Sequence, residues 1–135
     1  MSEYLVLAEN VFIKNNKLSC INIYDRLTTV AMPSEFKFDL AVICGPDWKE
    51  GEHKLSIKLR GNNGKEAKIG EITVNIASTN AVFNAIANDL KVMMDYSVSD
   101  VTIVVCDGDK EIIARKYPVV SMLVPKPKET NKAAK

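Results

Sequence analysis

The chain contains one histidine, His53, the residue type that most often serves as the general base of a hydrolase. A serine hydrolase would place it beside a nucleophile in a strained turn, and the sequence has no Gly-x-Ser-x-Gly motif. His53 stands next to aliphatic residues near the start of a predicted strand, so we interpret it as a structural histidine at the rim of the core. We therefore predict a protein without catalytic activity. An enzyme with an unrecognised site is the alternative.

Three cysteines, Cys20, Cys44 and Cys106, fall inside predicted strands. A zinc site would need a fourth ligand and usually a close pair of cysteines, and no such pair is present. An odd number of cysteines without paired spacing indicates a reduced interior rather than a disulfide framework. We predict unpaired, mostly buried thiols, no metal or cofactor, and a cytoplasmic location.

Aspartates recur in the predicted turns, at Asp25, Asp47, Asp107 and Asp109. Counting the chain reversals assigns these turns to the same end of the molecule. Several loop carboxylates at one end of a β-sandwich can hold Ca²⁺, although such sites need more carboxylates in closer spacing. The simpler interpretation is that these are ordinary turn-forming aspartates. A calcium or small-ligand binding module is thus an alternative function.

The only tryptophan, Trp48, lies in a turn-rich loop between two predicted strands. End loops of this kind commonly carry recognition, and tryptophan is enriched at binding hot spots. The other interpretation, which we favour, is that the indole folds back and covers the open end of the core. The weakly indicated binding residues are Trp48, Asp47, Asp25, Asp107 and Asp109.

The elements that would position these residues are strands, because apolar and polar residues alternate along most of the chain. The clearest alternation is in residues 35–44, where Phe36, Phe38, Leu40, Val42 and Cys44 share one side and Lys37 and Asp39 lie opposite. We predict strands at 4–14, 17–24, 27–32, 35–44, 52–60, 66–76, 101–106 and 111–117, with 119–124 extending the last one. This pattern predicts an all-β fold, an antiparallel two-sheet β-sandwich of seven to nine strands that is immunoglobulin-like in general shape.

Residues 52–76 read as one long hairpin around a three-residue loop that ends in a left-handed Gly64. That loop places Leu59 opposite Ala67, Ile57 opposite Ile69 and His53 opposite Val74. Further along, the inward side switches to Ile72, Val74 and Ile76. We therefore predict a β-bulge at Gly70, which absorbs the extra residue.

Residues 80–96 have a different pattern, in which apolar residues recur at helical spacing after a capping asparagine. The local pattern predicts a short helix there. At the chain's end, residues 125–135 are rich in Pro, Lys, Thr, Asn and Ala, which predicts a disordered basic tail after a single domain at 1–124.

The chain has 135 residues, of which 47% are hydrophobic and 26% charged, with a net charge of +1. These values are typical of a folded protein and argue against disorder. The charges of both signs are interleaved, so we expect neither a nucleic acid nor a membrane as partner. The function predicted is a non-catalytic binding or structural module whose partner would be a protein.

Several stretches resemble an uncharacterised bacterial family of small β-sandwich proteins, a domain of unknown function. The resemblance lies in Ala8–Phe12, Lys17–Ser19, Asp25–Leu27, Gly51–Leu55, Val101–Val105, Asp107-Gly108 and Ala114–Lys116. It implies a β-sandwich fold and gives no information about an activity. In that family, the region corresponding to residues 78–99 is another strand, which opposes the helix that the local pattern predicts.

Overall fold

The computed structural model of the chain describes residues 3–29, 34–62, 64–79, 82–94 and 99–121. Nine strands occur in these ranges, and no helix long and apolar enough to cross a membrane is found in them. In chain order the strands are β1 (Tyr4–Lys14), β2 (Lys17–Ile23), β3 (Leu27–Thr29), β4 (Ser34–Cys44), β5 (Gly51–Gly61), β6 (Glu66–Ile76), β7 (Phe83–Met94), β8 (Asp100–Asp107) and β9 (Lys110–Ser121).

The strands form two sheets. The first sheet has the order β2-β1-β4-β7, and each neighbouring pair in it is antiparallel. The second sheet has the order β3-β9-β8-β5-β6 and is mixed, since β3 runs parallel to β9. The prediction of an all-β, two-sheet protein with seven to nine strands is confirmed for the described residues. The prediction of purely antiparallel pairing is wrong at β3, because the corner after β2 carries the chain into the second sheet in the direction of β9.

One hydrophobic core lies between the two sheets. It is built from the inward residues of strands in both sheets, mostly at every other position along each strand. Phe38, Leu40 and Val42 of β4 are buried there, in one cluster with Leu55 and Ile57 of β5. This arrangement confirms the predicted inward side of residues 35–44. Burying side chains of this size contributes about 1.5–3 kcal/mol each, so the facing sheets stabilise each other.

The β5–β6 hairpin has almost the predicted register. Leu59 lies opposite Ala67 and His53 opposite Val74, and Gly64 has a φ of 86°. Ile57 pairs with Gly70, and the next pair is Lys58 with Lys68, so the extra residue is Ile69. The predicted bulge is therefore confirmed at Ile69–Gly70, whereas the predicted pairing of Ile57 with Ile69 is off by one residue.

The helix predicted at residues 80–96 is wrong for the described part of that segment, which is strand β7. The inward residues of β7 are Ala85, Ala87, Leu90, Val92 and Met94. Their spacing alternates except for one step of three residues, at a bulge where Asn88 and Asp89 face a single residue of β4. The apolar spacing resembled that of a helix because apolar residues lie on both sides of β7: Leu90 and Met94 are in the core, whereas Ile86 and Met93 are on the outer side.

The residue opposite this bulge is Asp39, a carboxylate that is only 7% exposed. The backbone N–H groups of Val11 and Asp89 each donate to Asp39 over 2.9 Å, and the Asn88 side-chain amide donates over 2.8 Å. Burial tends to raise the pKa of Asp39, but these donors outweigh it and leave the pKa below its usual value. Asp39 thus joins three strands of the first sheet through one charged group.

The three cysteines are unpaired, as predicted. Cys44 and Cys106 are buried, and Cys20 is partly buried. Burial, with the negative charge of Glu3 as a smaller cause, raises the pKa of the Cys44 thiol to about 12. Burial also raises the pKa of Cys20. Both thiols therefore stay protonated at neutral pH, which is the unreactive form. The predicted tail at residues 125–135 lies outside the described residues.

Candidate functional site

A cleft of about 680 Å³ opens at the end of the molecule where the β4–β5 loop meets the β8–β9 turn. Its volume lies within the range of small-molecule and cofactor pockets, about 300–1,000 Å³. Its lining combines residues of both charge signs with an indole and two aliphatic side chains. The lining residues are Glu3, Pro46, Asp47, Trp48, Lys49, His53, Asp107, Lys110, Glu111 and Ile112.

Trp48 forms the apolar part of the cleft and also belongs to the core. Its side chain is 8% exposed and packs edge-to-face against Phe83, with ring centroids 5.2 Å apart. The indole Nε1–H donates to Glu3 Oε2 over 3.1 Å, which satisfies the one polar atom of the ring. Trp48 thus covers the end of the core, in agreement with the interpretation that we favoured from the sequence.

His53 lies beside Trp48 and is held through both ring nitrogens. Nδ1 is 2.7 Å from Asp107 Oδ2, and Nε2 is 2.6 Å from the carbonyl oxygen of Lys49. Both partners are acceptors, so only the doubly protonated imidazolium can donate to both at once. His53 therefore links β5 to the end of β8 and to the loop that carries Trp48. We call this arrangement the His53 clamp.

The Lys49 carbonyl and, next, the Asp107 carboxylate raise the pKa of His53, and partial burial opposes them with a smaller effect. A general base needs a ring nitrogen with a free lone pair directed at the proton that it removes. In the clamp both nitrogens are engaged, one by the Asp107 carboxylate and the other by the Lys49 carbonyl oxygen, and the hydrogen bonds of the described residues give them no hydroxyl or thiol partner. This geometry suits a structural or binding role for His53 better than base catalysis.

We expect the stability of the protein to fall as pH rises above neutrality, because of the His53 clamp. Below the ordinary histidine pKa of about 6.5, the folded and unfolded chains are both protonated, and the clamp contributes in full. As pH rises through the raised pKa of the folded state, the imidazolium loses a proton and one nitrogen then faces an acceptor without a hydrogen. Melting temperatures measured from about pH 5 to about pH 9 should show this loss.

The matched variant for this prediction is His53→Gln, which keeps a donor but does not titrate. The melting temperature of His53→Gln should change less than that of the wild type across the same pH interval. The difference between the two melting temperatures should therefore narrow as pH rises. Asp107→Asn should give an intermediate profile, since the Lys49 contact remains. Parallel profiles for the wild type and His53→Gln would contradict a protonated clamp.

Three of the five residues indicated by the sequence meet at the cleft, namely Asp47, Trp48 and Asp107. Asp109 lies exposed in the adjacent turn and does not line the cleft. Asp25 is exposed, pairs with Arg26 over 3.0 Å, and does not line the cleft either. In the described residues no group of three or more His, Cys, Asp or Glu side chains is arranged to hold a metal ion.

His53 is the residue of the cleft that the sequence reasoning set aside. Its position opposite Val74 followed from the hairpin, but its partner Asp107 is 54 residues away. That contact depends on how β5 pairs with β8, where Leu55 lies opposite Asp107. The sequence signal was indirect, since His53 was predicted at the rim of the core and Asp107 was predicted in a turn at the same end as Asp47.

No family model matches this chain. A search of curated proteins finds no match either. The two-sheet, all-β structure is consistent with an uncharacterised β-sandwich-like domain, and the family resemblance inferred from the sequence stays a prediction.

Proposed function

We propose that this protein is a non-catalytic binding module of general immunoglobulin-like shape that holds a segment of a partner protein in the cleft around Trp48. The observation that carries this proposal is the convergence of Glu3, the β4–β5 loop and the β8–β9 turn on one cleft of about 680 Å³. Binding sites of β-sandwiches are commonly formed by such end loops, which a rigid scaffold positions.

The charge of the lining favours a peptide over other ligand classes. Lys49 and Lys110 carry positive charge and are in no ion pair among the described residues, and the Asp47 carboxylate is likewise unpaired and exposed. Nucleic acids and anionic membranes need a dominant positive field, which this mixed lining does not supply. A peptide offers both donors and acceptors, together with apolar side chains that can lie against Trp48.

The calcium alternative has weaker support. Asp107 is already engaged by His53, and Asp25 is engaged by Arg26 away from the cleft. A calcium site takes six to eight oxygen ligands, and no described cluster of acids approaches that number. The unpaired thiols support the proposal of a reducing, cytoplasmic environment.

Site-specific photo-crosslinking tests the proposed function. A benzophenone amino acid would replace Lys49 or Lys110 in the cleft and, as matched controls, Lys54 or Lys116, which are exposed on strands of the second sheet. We expect discrete adducts only from the two cleft positions, with mass spectrometry mapping both to one segment of one partner. Equal yields from the control positions, or no adduct from the cleft, would refute the proposal.

A matched charge variant sharpens this test. Lys49→Ala combined with Lys110→Ala should abolish co-purification of the partner that crosslinking identifies, while leaving the melting temperature unchanged, since neither lysine is in an ion pair among the described residues. Lys54→Ala combined with Lys116→Ala removes the same charge elsewhere and should leave co-purification of the partner intact.

A further inference from the structure

The β4–β5 loop, residues 45–50, forms one wall of the cleft and is attached to the rest of the molecule through its backbone. The Asp47 N–H donates to the carbonyl oxygen of Thr79 over 2.6 Å. Two residues further on, the Lys49 carbonyl oxygen lies 2.6 Å from Nε2 of His53. A backbone N–H keeps its hydrogen near neutral pH, whereas a ring nitrogen of histidine gains and loses one there. The attachment at Lys49 therefore depends on pH.

The two ring nitrogens of His53 compete for one hydrogen once the imidazolium loses a proton. Nδ1 faces the Asp107 carboxylate at 2.7 Å, and Nε2 faces the Lys49 carbonyl oxygen. Hydrogen bonds to a charged acceptor are roughly twice as strong as those between neutral groups, so the remaining hydrogen stays on Nδ1. Nε2 then presents a lone pair to the carbonyl oxygen, and two acceptors at this distance repel each other. Deprotonation thus breaks the attachment of Lys49 and leaves that of Asp107.

The release is confined to a short part of the loop. Trp48 stays in the core beneath the cleft, where it is 8% exposed and packs against Phe83. On the other side, β5 begins at Gly51. Between these two fixed points lie only Lys49 and Glu50, and both are exposed. The segment that can move is therefore Lys49–Glu50, and it carries one of the two lysines of the cleft.

His53 is the only histidine of the chain, and histidine is the side-chain type whose charge ordinarily changes between about pH 5 and about pH 8. The residue opposite it on β6 is Val74, which carries no charge. Asp107 is bonded to the ring directly. The charged groups that face His53 from the elements around the cleft are Glu3, Asp47, Lys49, Asp107, Lys110 and Glu111.

We propose that the His53 clamp is a pH-dependent switch of the cleft, which holds Lys49 in the wall when His53 is doubly protonated and releases Lys49–Glu50 when it is neutral. The release takes one of the two cleft lysines from its place, so the affinity for the partner segment falls as pH rises. The change of the wall depends on this chain alone, whereas the change of affinity rests on the proposed function. Because the Lys49 carbonyl and the Asp107 carboxylate raise the pKa of His53, the switch should operate above the ordinary value of about 6.5.

Nuclear magnetic resonance of the ¹⁵N-labelled protein, titrated from about pH 5 to about pH 9, tests the switch itself. The backbone amides of Lys49 and Glu50 should change in chemical shift with the same midpoint as the His53 ring. Their order parameters should fall from the rigid range, about 0.85, to below about 0.6 at high pH. Titration of a nearby ring alone would move the shifts but leave the order parameters in the rigid range. The amides of β2, which does not line the cleft, should not follow the titration.

Two variants assign the effect to the clamp. Asp107→Asn removes a carboxylate that raises the pKa of His53, so the midpoint should move to lower pH. His53→Gln does not titrate, and its Lys49 and Glu50 amides should keep constant order parameters across the interval. Wild-type order parameters that stay constant while the His53 ring titrates would overturn the proposal. So would a ring without a midpoint between about pH 5 and about pH 9.

The change of affinity is measured with the benzophenone amino acid at position 110, which lies on β9 outside the moving segment. With the identified partner held below saturation, the adduct yield should fall at least about fivefold from about pH 5.5 to about pH 9. His53→Gln should remove most of this dependence. If no adduct forms at any pH while the Lys49 and Glu50 amides follow His53, the proposed function fails and the switch stands. Equal yields at both pH values would refute the regulation and leave the proposed function.

Discussion

Replacing Trp48 with alanine is expected to lower the free energy of unfolding by about 3–5 kcal/mol, the usual cost of truncating a buried aromatic residue. The indole is 8% exposed and contacts both Phe83 and His53 edge-to-face. Its removal would open the end of the core beneath the cleft and leave Glu3 without its Nε1–H donor. Because this is the only tryptophan, unfolding of the variant should be followed by circular dichroism in urea.

Trp48→Phe is the matched control, since it keeps an aromatic ring in the core but removes the bond to Glu3. The free energy of unfolding should fall clearly less in Trp48→Phe than in Trp48→Ala. If Trp48→Ala instead costs less than about 1 kcal/mol, the indole contributes little to the core, and recognition would become its main role.

Replacing Asp39 with alanine should lower the free energy of unfolding by about 2–4 kcal/mol. This is the second large effect that the structure predicts. The variant would leave the N–H groups of Val11 and Asp89 without their acceptor, whereas the Asn88 amide would lose one of its two acceptors and keep the Val11 carbonyl oxygen. Each buried donor that loses its acceptor costs about 1–3 kcal/mol, and water can reach Asp89, which limits the total. Equilibrium urea denaturation at neutral pH measures the difference.

The pH dependence of the same site supplies a control. The pKa of Asp39 is lowered in the folded chain, so the stabilisation is complete above the ordinary aspartate pKa of about 3.9 and is lost as pH falls through the folded-state pKa. Asp39→Asn keeps one acceptor oxygen and cannot titrate, so part of the acid-induced loss should disappear in this variant. An unchanged acid limb in Asp39→Asn would show that Asp39 does not contribute as proposed.

Local patterns in the sequence were sufficient for the elements that are determined locally. The β5–β6 hairpin has its turn, its side-chain pairs and its bulge within 26 residues, so alternation and one glycine located nearly all of it. The inward side of β4 followed from alternation in the same way. In β7 the same reasoning gave a wrong helix, because the bulge at Asn88–Asp89 is stabilised by Asp39, 50 residues away in the case of Asp89.

The candidate site could be predicted from the sequence only in part, for the same physical reason. Asp47 and Trp48 belong to one loop, so their proximity needed no further information. Predicting that Asp107 lies beside His53 would have required the register of β5 against β8. These two strands are not joined by a turn, so no local pattern in the sequence indicates that register.

The parallel pairing of β3 with β9 determines the order in which this protein can assemble. Leu27 lies opposite Val119, so the pair closes a loop of about ninety residues, at an entropic cost of roughly 4 kcal/mol. Three residues of pairing do not offset that cost until β8 and β9 are already in place. During synthesis the segment around Leu27, buried in the finished fold, stays uncovered until nearly every strand has emerged. A chain that stops after β8 should therefore expose apolar surface from both halves of the molecule, and such a fragment is a natural target for chaperones and proteases.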